Sequence, residues 1–123
     1  MKLVHLYGYV SCLAGHATYW SHWGCGLNND AINLIGVTMT TTDNTVLLPP
    51  KELTIHSGLN NGWSFVAGYN SQSPELVLTR FADDDITVSS GQELRLWYSQ
   101  DLLNGPENRN GGRVCCDVYA LFE

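Results

Sequence analysis

No stretch of this chain repeats apolar residues at the i, i+3, i+4 spacing that lays a stripe along a helix. Its apolar runs are short and rich in β-branched and aromatic residues: KLVHLYGYVS near the start, INLIGVTMTTT from Ile32 to Thr42, GWSFVAGYN from Gly62 to Asn70 and ELVLTRFA from Glu75 to Ala82. TVLLPPKELTIHS holds two short strands around Pro49 and Pro50, a pair that cannot sit in a central ladder. Ile86–Val88 and Glu93–Ser99 read as further strands joined by a turn at Ser90-Gly91, with Leu94, Leu96 and Tyr98 on one face of the second and Arg95 and Trp97 on the other. The last strand runs from Arg113 to Phe122. About seven to nine short strands, with turn signals roughly every 8–12 residues, predict an all-β fold, an antiparallel β-sandwich of jelly-roll or Greek-key type. A length of 123 residues suits one core, and no repeat or linker divides residues 1–123, which read as a single domain.

Charge narrows the partners. Six basic against twelve acidic residues give a net charge of −6, the wrong sign for nucleic acid or an anionic membrane surface. No apolar run approaches the roughly 20 residues of a membrane-spanning helix, so membrane insertion is not expected. MKLVHLYGYVSCLAGHA has the outline of a signal peptide, but His5, Tyr7, Gly8 and Tyr9 interrupt its apolar region. It is expected to be a first strand of the mature protein. Charged residues make up only 15% of the chain, a polar but weakly charged surface that suits a secreted or cell-surface protein.

Four cysteines allow three pairings. Cys115 and Cys116 are neighbours in a strand, so their side chains point to opposite faces and are not expected to join each other. Two bridges from this pair to Cys12 and Cys25 are the expectation, with a single bridge or free buried thiols as the alternatives. Bridges place the chain in an oxidising compartment. No CxxC spacing supports zinc.

The connection before the last strand, DLLNGPENRNGG, holds far more oxygen donors than a hairpin needs. Calcium takes six to eight oxygens from carboxylates, amides, carbonyls and water. Gly105, Gly111 and Gly112 tolerate the bent backbone that brings such donors inward, and Pro106 stiffens the turn. Asp101 anchors the front of the segment, Asn108 and Asn110 stand two apart, and Glu107 adds a second carboxylate. The same composition also makes an ordinary long hairpin loop.

The order of strand LWYSQD, then Asp101, then a Gly/Asn-rich turn and a final strand resembles the LecA-like lectins, small calcium-dependent galactose-binding β-sandwich proteins of bacteria. The resemblance covers the chain from Glu75 onward. It implies a calcium site built from the Asp101 carboxylate, the Gly105 carbonyl four residues on, and Asn108. The family's second, consecutive Asn falls on Arg109, which cannot bind a cation, and a one-residue insertion brings Asn110 into that role. It further implies that adjacent hydroxyls of the sugar complete the calcium shell; beside them, Glu107 is a candidate sugar contact. The family's more distant carbonyl ligand has no counterpart that can be placed here.

Two other segments compete for a role at such a site. GHATYWSHWGCGLNND gathers His16, Tyr19, Trp20, His22 and Trp23 beside Asn28, Asn29 and Asp30. Flat rings suit the apolar face of a pyranose, and Trp20, His22 and Trp23 are candidate sugar contacts, although the two tryptophans equally suit a cap on the sandwich core. Asn61, with Asn60 and Trp63, lines a groove or simply opens a turn at Asn61-Gly62. Asp83 to Asp85 make a solvated turn or lend a ligand. No hydrolase, kinase or zinc-enzyme motif occurs, so an enzyme is not expected.

These observations converge on a calcium-dependent lectin for galactose or GalNAc-type glycans on cell surfaces or glycoproteins. Self-association into a homo-oligomer is expected because single sugar sites are weak. The alternative is a disulfide-braced extracellular adhesion or matrix module in which calcium is only structural.

Overall fold

The strand that organises the molecule is the first. β1 (Lys2–Ser11) pairs along one whole edge with β9 (Gly111–Tyr119), and along its other edge with β7 (Glu75–Val77) at its start and β2 (Trp20–Ser21) at its end. The computed structural model describes residues 1–26, 32–55, 62–80, 87–102 and 109–121. A second sheet sets β4 (Val37–Thr40) between β5 (Val46–Leu48) and β8 (Arg95–Tyr98), and a small third one pairs β3 (Leu34–Ile35) with β6 (Ser64–Phe65). All these pairings are antiparallel. The all-β sandwich expected from the sequence is the fold observed.

The inner faces meet in one core. Leu3 and Leu76 come from the first sheet, Val37, Met39 and Leu48 from the second, and Trp23, Ile35, Val66 and Leu78 complete the cluster. Each such side chain contributes about 1.5–3 kcal/mol relative to exposure. The outer face of β4 is sealed by polar contacts instead. The Thr38 and Ser99 hydroxyls lie 2.6 Å apart, and Trp97 Nε1 donates to Thr40 Oγ1 at 3.0 Å.

Most strands are shorter than the apolar runs that predict them: Ile32–Thr42 splits into β3 and β4, and the last strand runs from Gly111 to Tyr119 where Arg113 to Phe122 was expected. After Pro50 the chain makes a single 3-10 turn, Lys51–Leu53, and the second strand expected there shrinks to one bridge between Thr54 and Ser64. β8 stops at Tyr98, and Ser99–Leu102 form one helical turn, α1, where a strand end was expected. Ser99 N–H donates to the Gly36 carbonyl at 2.7 Å, which pulls the chain across β4 rather than along it. Thr87 and Val88 lie in no strand, and Ile86 falls outside the described residues.

The β1–β9 ladder slips by one residue between His5 and Tyr7. Gly8 follows this bulge at φ +87°, and a Cβ there would meet the Arg113 carbonyl oxygen. Both the backbone angle and the contact demand glycine. Gly8→Ala is expected to cost about 2 kcal/mol or more. Urea unfolding should show a lower midpoint at unchanged slope, and an unchanged midpoint would refute the account.

Candidate functional site

A groove of about 390 Å³ opens where the turn after β1 meets the residues leading into β9, lined by Leu13, Ala14, Gly15, His16, Arg109 and Asn110. Its size lies in the range of ligand clefts, roughly 300–1,000 Å³. Local hydrogen bonds set its walls. Ala14 N–H donates to the Arg109 carbonyl at 2.8 Å, and Trp20 Nε1 donates to the Ala14 carbonyl at 3.3 Å. The Trp20 ring lies over Gly111 and Gly112, so closely that a Cβ on Gly112 would collide with it. Close approach of this ring, and not loop bending alone, accounts for the paired glycines. The 13–24 segment is closed at its base by a disulfide between Cys12 and Cys25.

Asn110 carries the most informative polar atom. Its Oδ1 is shut off from solvent and has no hydrogen-bond partner among the described residues. An unpaired buried acceptor costs about 1–3 kcal/mol. A cation is a natural partner for such an oxygen, and an amide oxygen belongs to the hard donor set that calcium takes. Of the other expected calcium ligands, Asp101 sits exposed in α1, at the opposite end of the same connection. Gly105 and Asn108, with the sugar contact Glu107, lie outside the described residues, as does Asn61. Among the described residues no three His, Cys, Asp or Glu side chains gather as a metal cluster.

The aromatic segment divides into surface and core. Trp20 is half-buried beside the groove, and the exposed His16 stands edge-on to Tyr19 at 6.0 Å. Trp23 is a correction: it is wholly buried in the core and its Nε1 donates to the Ser73 carbonyl at 2.8 Å, so it has no free face to offer a sugar. His22 stacks on His5 with ring centroids 3.6 Å apart, and Tyr9 lies 5.4 Å from His22. His22 Nδ1 stands 3.1 Å from the Ser73 carbonyl, and His5 Nε2 lies 2.7 Å from that of Gly8. A carbonyl only accepts, so each of these nitrogens carries the proton. His5 and Tyr9 went unremarked as site residues in the sequence. Only their register opposite the 20–23 segment, a tertiary fact, brings them there. A second hollow of about 330 Å³, lined by Pro49, Pro50, Phe65 and Val66 among others, is mostly apolar, with Tyr69 and Thr79 as its only hydroxyl-bearing residues among those described.

The cysteine pairing is also corrected. Cys12 joins Cys25, and Cys115 and Cys116 are free. The two N-terminal cysteines come within 5.4 Å at Cα, whereas β9 faces β1 with Cys116 opposite His5 and Cys115 opposite Tyr7, away from either. Cys116 packs against the core, and burial first, then the neighbouring Cys115 and Asp117, push its thiol up. Thiol titration of the denatured, unreduced chain should find two reactive groups, rising to four after reduction. Finding none before reduction would restore the two-bridge pattern. Replacing Cys12 and Cys25 together by Ala should cost about 2–4 kcal/mol, read by denaturant unfolding.

No protein-family model matches the chain, and no curated protein matches it. Among solved structures it matches AJLec, a lectin of the sea anemone Anthopleura japonica, at 35% identity and a TM-score of 0.77, over 94% of this chain and 74% of that one. With the fold, the identity and the coverage in agreement, the chain belongs to the lectin family that includes AJLec.

Proposed function

We propose that this lectin binds galactose-type glycans through a calcium ion held in the connection between α1 and β9. The observation that carries this reading is the buried, unpartnered Oδ1 of Asn110 beside a ligand-sized groove. Asp101 supplies the carboxylate, the Gly105 carbonyl and the Asn108 and Asn110 amides supply neutral oxygens, and open coordination positions take two adjacent sugar hydroxyls. Trp20, with the neighbouring His16–Tyr19 pair, offers an aromatic surface to the ring, and Glu107 and His22 are further sugar contacts. Asn61 is a further candidate sugar contact. The preference for galactose rests on the resemblance of the C-terminal part to bacterial lectins. The chain works as a secreted or cell-surface binder without catalysis, and a homo-oligomer adds avidity to a weak single site.

Calcium should raise the thermal melting point, by an amount equivalent to about 2.7 kcal/mol at a hundredfold excess over Kd. Asn110→Ala and Asp101→Ala should each remove most of that rise while leaving the fold intact. The wild-type chain should be held on galactose-agarose and released by EDTA. A melt that ignores calcium would overturn the metal assignment. A melt that rises with calcium but ignores every sugar would replace the lectin site with a structural calcium in an adhesion module.

A further inference from the structure

β9 has one unused edge. Its nine residues pair with β1 and, among the described residues, with nothing else. Such an edge is a row of main-chain donors and acceptors ready for another strand, and proteins usually blunt it with Pro, Lys or a bulge. β9 holds no Pro and no Lys, and the bulge in its ladder lies on β1.

We infer that β9 pairs antiparallel with β9 of a second copy, across a two-fold axis through Cys115. Three features of the strand select this register. A two-fold axis normal to a sheet returns each face to itself, so directly opposed residues must point to the same face and the axis falls on a residue, not between two. Cys115 is the midpoint of Gly111–Tyr119, the only centre that engages the whole strand. The same centre sets Arg113 opposite Asp117 of the partner subunit on both sides of the axis. Both side chains are exposed, and neither has an ion pair among the described residues. A shift of the axis by one residue sets Arg113 opposite Cys115 or Tyr119 and loses both charge pairs.

An apolar match follows the charges. Val118 and Tyr119, 48% and 54% exposed, come opposite Gly112 and Gly111, where the partner subunit's Trp20 ring lying over those glycines gives them an apolar surface to meet. Cys115 comes opposite itself. Opposed residues in antiparallel strands stand about 4.5–5.5 Å apart at Cα, within disulfide reach. The thiol therefore reports the register. The inference gives a surface to the self-association proposed above and stands apart from the sugar chemistry.

Sedimentation equilibrium of the full chain should show a reversible dimer. R113D and D117R place like charges opposite each other and should each weaken it about tenfold or more, while the double swap restores it. Under copper-phenanthroline, with oxygen taking the two electrons, Cys116→Ser should still cross-link as a dimer and Cys115→Ser should not. A monomer at all concentrations, a double swap that fails to restore the dimer, or cross-linking that needs Cys116 would each overturn the inference. Calorimetric titration with free galactose on the same samples separates the two readings, because loss of sugar binding with the dimer intact removes the lectin site alone.

Discussion

The ladder between β1 and β9 joins the two ends of the described chain, with Lys2 opposite Tyr119 and Ser11 opposite Gly111. It is a long-range pairing of two long strands, so its loop-closure cost is met only when the intervening core has formed. The groove depends on it directly. Asn110 immediately precedes the first paired residue of β9, and the turn holding Ala14 and His16 leaves the last residue of β1. The site is thus the open end of one two-stranded unit, steadied by the Trp20 ring lying across the backbone of its neighbour.

One short segment serves both surface and core. Trp23 fills the interior while Trp20, three residues earlier, covers the paired glycines at the rim. The Ser73 carbonyl accepts from Trp23 and from His22 together, so a single main-chain oxygen fixes a buried ring and the stacked histidine beside it. Tyr98 extends the same logic on the other sheet. Its hydroxyl donates to the Gly24 carbonyl at 2.8 Å, its ring stands edge-on to Trp63 at 5.8 Å, and burial pushes its phenol far up.

What could be read from the sequence follows the range of the interactions. The period-two runs and turn residues point to the strands, because both signals are local: β1 lies where expected, β4 and β9 fall within or across the expected runs with shifted ends, and Cys116 turns to the core, opposite in facing to Cys115. The helical turn after Tyr98 was hidden, since it arises from Ser99 bonding to Gly36 and to Thr38 of the neighbouring strand β4, residues far away in sequence. The cysteine pairing failed for a similar reason. Sequence spacing cannot tell that Cys12 turns toward Cys25 while β9 keeps its thiols on β1. At the site, Asn110 and Trp20 were both singled out, one as a metal ligand and one as a ring for sugar. Their meeting through Ala14 and Gly111 is a product of folding alone.

The Cys12–Cys25 bridge ties the fold to the site. Cys25 is buried, Cys12 is half-buried, and the groove wall from Leu13 to His16 lies wholly within the loop that the bridge closes. A preparation made in a reducing cytosol gives up about 2–4 kcal/mol with the bridge, and its wall is left to the main-chain hydrogen bonds donated by Ala14, His16 and Tyr19 and the one from the Trp20 ring. The redox history of a sample therefore bears directly on the shape of the groove as well as on overall stability.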